Sequence, residues 1–342
     1  MKELVNFCNI EGFIFKVDIT DEDNKPKMSK RGTEYFGGTI YVAQDKSATN
    51  VTRVNIPYVG KTTKNGEENK SFSFLKKVVE KGLTIEENGV ENAAKCKIRC
   101  TLVGEEYYSA KNKDENGNLL VGKIDKLESF SVYPVDTLNE KIQQRNIFSV
   151  DCLIKDTQKI EATSENEQTK LILKTFIGKT DSDKNWLLMP MDLVVENPNG
   201  IAYFLGLGAN PQNPIFTKIT GTVRTTVTET VEAEQSEGGA FGEVVDVPVS
   251  AKRDIQRDFL VLDAKKEPYP TNTERTITFE EIKQLLDYRE KVNSGKRVDT
   301  EKRIQERENN QGAGAFSNGN NYINEDLPFD SNELPPFDLG AM

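Results

Sequence analysis

Between residues 25 and 113 the sequence gathers cations and aromatic rings into three groups. Lys25, Lys27, Lys30 and Arg31 precede Tyr35, Phe36 and Tyr41. Lys95, Lys97 and Arg99 alternate with Cys96, Ile98 and Cys100, and Tyr107 and Tyr108 precede Lys111 and Lys113. Spaced cations neutralise phosphates and ring faces stack on bases, so these residue types suit an extended single strand of nucleic acid better than any covalent chemistry. Taken singly, each has a plainer explanation: aromatics in strands usually serve the core, and lysine rows usually keep an edge solvated. Recurrence of both types favours the binding reading.

Several other chemistries are disfavoured. The chain has no histidine, which removes the commonest general base near neutral pH and the commonest zinc ligand. Cys8, Cys96, Cys100 and Cys152 form no C-x-x-C pair. Cys96 and Cys100 are four residues apart along an alternating segment, about 13 Å, too far for a disulfide. They read as buried thiols of a reducing compartment. No phosphate loop or nucleophile elbow is present, and Glu105 with Glu106 reads as a pair of loop residues. The expectation is a non-enzymatic protein with no cofactor and no metal.

The net charge of -10 looks unfavourable for nucleic acid until it is divided along the chain. Residues 1–145 hold 23 Lys and Arg against 22 Asp and Glu, residues 146–320 hold 22 against 28, and residues 321–342 hold none against five. The acidity is therefore concentrated in the second half and the tail, while a near-neutral first half can still carry a basic face. There is no secretory signal and no apolar run near the ~20 residues of a membrane span, so a cytoplasmic protein is expected, in the host cytoplasm if phage-encoded.

The elements that position these groups follow from periodicity. Alternation marks strands at 10–19, 38–43, 53–59, 95–103 and 125–135, and residues 71–81 have helical spacing with Gly82 as a stop. The order then repeats: strands at 148–157, 171–178, 186–195, 216–231 and 258–264, with 202–207 in the helix position. Tyr133-Pro134 and Tyr269-Pro270 end the two units. Five strands with a helix between the third and fourth resembles the order of the OB-fold, whose first and last hairpin loops bind oligonucleotides. The fold expectation is mainly β, two tandem five-stranded OB-like barrels: 1–138 as the main nucleic-acid-binding domain and 145–292 as the second domain with a C-terminal helix. Residues 293–342 are expected to be a disordered linker and acidic tail. The helix is announced by a capping box at Thr278 and Glu281 and is expected to end near Val292.

The resemblance to the OB-fold puts Lys25 to Arg31 in the first binding loop and Tyr107 to Lys113 in the second. Tyr41 alternates with Ile40 and Val42 and is expected to be an exposed stacking platform. The second unit looks weaker, with Arg224 as the one cation in a row of threonines and Lys252, Arg253, Arg257 and Trp186 as secondary candidates. It is expected to contact proteins or another copy of the chain.

The tail carries Glu325, Asp326, Leu327, Pro328, Phe329 and Asp330, followed by a near-copy in Glu333, Leu334, Pro335, Pro336, Phe337 and Asp338. This resembles the acidic tip of bacterial and phage single-stranded-DNA-binding proteins, although that family ends on its Phe and this chain continues to Met342. The resemblance implies a protein that coats single-stranded DNA in replication, recombination or repair. It also implies a tail that recruits partner proteins by inserting a ring into a basic-rimmed pocket. A phage tail or baseplate protein of duplicated β-domains, or a binder of single-stranded RNA, is the alternative.

Overall fold

The computed structural model describes residues 4–163, 168–180, 186–235, 246–270 and 278–311. β1 (Asn6–Asp18) opens the chain. A two-residue β2 (Lys27–Met28), β3 (Glu34–Ala43) and β4 (Val51–Gly60) follow, then α1 (Lys70–Lys81), the single turn α2 (Ile85–Asn88), β5 (Lys95–Lys113), β6 (Leu119–Glu128) and a short β7 (Tyr133–Pro134). The pairings run β1–β3–β4–β6–β5 and return to β1, so five strands close a ring; β4 and β6 are parallel and the other contacts antiparallel.

The order recurs in β8 (Asn146–Ile160), β9 (Lys170–Thr180), β10 (Trp186–Val195), α3 (Pro198–Gly206), β11 (Ile215–Gln235) and β12 (Asp246–Ala264). Here β8–β9–β10–β12–β11 returns to β8, again with one parallel contact, β10 on β12. By proximity the chain divides into one unit of residues 1–224 and 259–315 and another of 225–258 and 316–342. Both rings close within the first unit; the second holds strand residues 225–235 and 246–258.

The helices end where their caps dictate. Asn69 accepts from the Ser71 N–H to start α1, and Gly82 ends it in the left-handed region (φ 58°), where glycine escapes the Cβ penalty. The buried face of α1 is Phe72, Leu75 and Val78. α4 (Phe279–Gln311) starts at the expected capping box, the Thr278 hydroxyl accepting from the Glu281 N–H while the Glu281 carboxylate accepts from the Thr278 N–H. It runs on to Gln311, which corrects the expected end near Val292 and the expected loss of structure from Asn293. Polar anchors take over from apolar ones at that point, as described below.

β1 departs from simple alternation. Alternation puts Phe13, Phe15, Val17 and Ile19 on one face; a bulge between Ile14 and Lys16 shifts the phase, so Cys8, Ile10 and Ile14 join Ile19 in the main core with Val17 packed against it, while Phe13 and Phe15 are buried outside it. Its residues 6–10 pair with β8 and its residues 13–18 with β3, while residues 8–13 pair with β5 on the other edge. Asn6 reinforces the junction, its amide donating to the carbonyls of Leu102 and Gly178 and its oxygen accepting from the Leu102 N–H. Gly104 brings the rings close, since a Cβ there would lie 2.0 Å from the Pro190 carbonyl oxygen.

All four cysteines are free and buried. Burial pushes the Cys96 thiol up to about 12, with Glu11 adding repulsion, and burial with Asp151 raises Cys152 as well. Native pKa values above the unfolded ones leave stability untouched below the unfolded value. They erode it above that value, because the unfolded chain then sheds protons that the native chain keeps. The urea midpoint is therefore expected to fall from about pH 9 upward, and to fall less in Cys96→Val. A thiol reagent at pH 8 should modify the protein only after denaturation.

Candidate nucleic-acid interface

The loop from β1 to β3 is shaped by two side-chain-capped turns. Asp21 accepts from the N–H groups of Asp23 and Lys25, and the Ser29 hydroxyl accepts from the Thr33 N–H. Lys25 pairs with Asp23 at 3.5 Å, and Lys27, in β2, donates to the Gly37 carbonyl at 2.7 Å. Lys30 and Arg31 occupy the tip of the second turn, exposed and without an ion pair among the described residues. On the returning strand of this hairpin, across from Lys27, the Tyr35 ring stacks on Tyr58, centroids 4.8 Å apart and planes at 24°. The stack is seated on glycines: a Cβ at Gly37 would lie 3.0 Å from the Tyr35 ring and one at Gly60 2.8 Å from the Tyr58 ring. Tyr58, which alternation alone did not single out, is 41% exposed.

Two expected ring contacts are corrected. Phe36 is fully buried and packs on Phe72 of α1, centroids 4.8 Å apart, because the bulge between Phe36 and Gly38 turns it inward. Tyr41 is on the face away from Ile40 and Val42, yet only 4% exposed. Its register neighbours are Lys16 and Arg53, whose long stems at cross-strand spacing cover ring surface.

The row on β5 has the expected alternation, Cys96, Ile98 and Cys100 buried and Lys97 and Arg99 exposed. Each cation has a partner. Lys95 donates to the Asp136 carbonyl at 3.1 Å, Lys97 pairs with Glu11 at 3.7 Å, and Arg99 lies over the Phe7 ring at 5.5 Å. Exposed contacts of this kind are worth at most about 1 kcal/mol, so a phosphate can replace the partners of Lys95 and Arg99 at small cost, while exposed Lys97 keeps its pair with the nearly buried Glu11.

Tyr107, Tyr108, Lys111 and Lys113 lie within β5, which extends to Lys113; the loop proper is 114–118, held by Asp114 accepting from Asn116 and Asn118. That corrects their assignment to a loop. Tyr107 is half-buried over Gly122, where a Cβ would meet its ring at 2.5 Å, and Tyr108 is half-buried too, while Lys111 and Lys113 are exposed. Since β5 runs antiparallel to β1, this hairpin and the β1–β3 loop bracket the ring from opposite ends.

α4 clamps the base of the hairpin. Arg289, Asn293 and Lys296, on one face of the helix, all donate to Glu106, the first two to its carboxylate and the last to its carbonyl. Ile282 and Leu285 of the same helix pack on Leu153, Phe176, Leu188 and Phe216 of the second ring. A cleft of about 280 Å³ beside the clamp is lined by Lys126, Lys179 and Arg289, each already paired with Glu105, Glu128 and Glu106 respectively.

In the second ring Arg224 makes a two-pronged pair with Glu196, at 2.6 and 2.9 Å, which holds the Glu196 carboxyl below its usual range. The one cation of that threonine row is thus engaged. Trp186 packs at the edge of the cluster under α4. The side chains of Lys252 and Arg253 lie outside the described residues, as do Asp326, Leu327, Pro328, Phe329, Asp330, Pro336, Phe337 and Asp338. No cluster of metal-ligating residues occurs among the described residues, and none of their helices is long and apolar enough to cross a membrane.

Residues 5–299 match the YorF family. No curated protein matches the sequence. Among solved structures, a deletion mutant of the single-stranded DNA binding protein from Thermus aquaticus aligns over 80% of this chain and 100% of that chain. The identity is 9% and the TM-score 0.39, too distant a likeness to fix the fold.

Removing the Glu106 carboxylate orphans Arg289 and Asn293 in a half-buried setting. Glu106→Ala is expected to lower unfolding stability by about 1–3 kcal/mol and to speed proteolysis within α4. Glu115→Ala, on the exposed hairpin loop, should change both by little. Urea titration and a timed trypsin digest check this.

Proposed function

We propose that this chain, which belongs to the YorF family, is a non-enzymatic protein that binds single-stranded DNA through its first ring of strands and recruits partner proteins through its acidic tail. The observation that carries the reading is the stack of half-buried Tyr35 on exposed Tyr58, on a hairpin whose tip carries Lys30 and Arg31, exposed and without an ion pair among the described residues. Rings seated against glycines offer flat faces to bases, and exposed cations on the same hairpin can meet phosphates without first giving up an ion pair among the described residues.

The strand order supports taking the two rings as tandem OB-type barrels. A ring in which the third strand pairs in parallel with the fifth, and the first closes on the fourth, has the connectivity of that barrel; its second and third strands and two hairpin loops bind oligonucleotides. In the first ring those strands are β3 and β4, which carry Tyr35 and Tyr58. On this reading the cations of β5 and the hairpin residues Lys111 and Lys113 extend the electrostatic footprint.

The tail sequence supports the second half of the proposal. Two copies of an acidic Leu-Pro-Phe segment in a polar background give a partner two chances to capture a ring, raising the effective concentration. Coating and protection of exposed strands during replication, recombination or repair is the role that fits both activities.

Fluorescence titration with oligo-dT, oligo-rU and duplex DNA at two salt concentrations tests the binding half. Tight, salt-sensitive binding to oligo-dT with little to duplex is expected, whereas a preference for duplex, or for oligo-rU, overturns the DNA assignment. Tyr58→Ala should weaken oligo-dT binding by about 1–3 kcal/mol, roughly five- to 150-fold. Deleting residues 321–342 should leave that binding intact or stronger while abolishing capture of replication or recombination proteins.

A further inference from the structure

Beyond β6 the chain crosses the end of the first ring on a backbone fixed at every other residue. The Ser129 hydroxyl donates to the Arg99 carbonyl at 2.8 Å, and the Val132 N–H donates to the Ser71 hydroxyl of α1 at 3.0 Å. Tyr133 and Pro134 pair with Lys97 and Cys96, and the Val135 N–H donates to the Lys95 carbonyl at 3.1 Å. Ser129 and Val132 are buried. Between these anchors Phe130 is 62% exposed and Tyr133 51% exposed. Large rings left in water on a rigid backbone mark a contact surface, because nothing in local flexibility lets them turn inward.

Their neighbours show what kind of contact. Tyr133 is directly across from Lys97 on the same face, and Phe130 follows the serine that is bonded to Arg99. Lys95, Lys97 and Arg99 stand about 6.6 Å apart along the strand. Arg99 is itself supported from the other side by Phe7. Of the acids at this wall, Glu11 is nearly buried and engaged by Lys97 and by the Asn139 N–H, and exposed Asp136 and Glu91 lie at its Lys95 end, away from Arg99. Rings flanked by a row of cations fit a polyanion with flat faces, and an acidic or apolar protein surface would leave one of the two residue types unused.

We propose that this wall, formed by β1, β5 and β7, is a second contact for single-stranded nucleic acid, with bases stacked on Phe130 and Tyr133 and phosphates on Lys97 and Arg99. The inference rests on the single-strand reading above and adds to it. This wall is separated from the Tyr35–Tyr58 stack by the width of the ring, since β5 and β3 lie on opposite edges of β1. One strand can engage both only if it is long enough to travel around the barrel.

The experiment uses the full chain and its Phe130→Ala/Tyr133→Ala variant, with fluorescent oligo-dT of about 10 and about 40 nucleotides, lengths within and well beyond what one barrel usually occupies. Both positions are exposed, so an unchanged urea midpoint is expected to accompany the double substitution. The affinity for the long oligonucleotide should drop at least ten-fold and the occluded length should shorten, with less than two-fold change for the short one. Tyr58→Ala should weaken both. Unchanged affinity for the long oligonucleotide, or an equal loss at both lengths, overturns the second contact while leaving the first intact. Failure of the wild-type chain to bind either oligonucleotide defeats the single-strand reading itself.

Discussion

β1 is asked to satisfy three partners with one backbone. A strand has two edges, and this one gives the first to β5 and divides the second between β8 and β3, changing partner near Gly12. At that point a side chain is impossible, since a Cβ on Gly12 would lie 2.1 Å from the Ala43 carbonyl oxygen. The same strand therefore closes the first ring and ties it to the second. Asn6, Gly104 and the Val5 N–H bonded to Asp151 work at this seam, and they turn two duplicated units into one body of packed strands.

Much of this was legible in the sequence, because its signals were local. Trp186–Val195, the capping box of α4 and the glycine stop of α1 depend on nearest neighbours and on period, and each lies where the pattern puts it. What depends on distant chain was not legible. The bulge in β1 moves Ile14 inward, and the bulge in β3 does the same to Phe36; neither has a local marker beyond the glycines that follow Phe36. Tyr41 has the correct face by alternation but is covered by cross-strand neighbours. α4 passes Val292 because Glu106, nearly two hundred residues earlier, supplies the partner that the helix's own polar residues lack. The exposure of Tyr58, Phe130 and Tyr133 was not legible for the converse reason, since a single aromatic in an apolar stretch reads as core until its surroundings are known.

Charge is distributed by engagement more than by count. Among the cations that the sequence brings forward, Lys97 and Arg224 are tied to carboxylates, Lys27 and Lys95 to carbonyls, and Lys30, Arg31, Lys111 and Lys113 reach solvent. These four lie at the two ends of the first ring, where the exposed acids Asp21, Glu22, Asp23 and Glu115 share the loops with them. The Lys95 bond to the Asp136 carbonyl, at the surface, can be exchanged for a phosphate, while the fork between Arg224 and Glu196, partly withdrawn from water, cannot.

That contrast extends to the whole of the two rings and explains how one architecture can serve two ends. In the second ring the outward residues Leu153, Phe176 and Phe216 line up across β8, β9 and β11 in register, and α4 covers them with Ile282 and Leu285, while Arg289 lies over Phe176 at 5.1 Å. An outer face committed to an intramolecular helix cannot also stack bases. Among the described residues no such helix covers Tyr35 and Tyr58 of the first ring, which stay paired, with Tyr58 at the surface. With apolar residues on the outer face of one ring and seated tyrosines on the other, the second ring is a scaffold for α4 and the first keeps an open face.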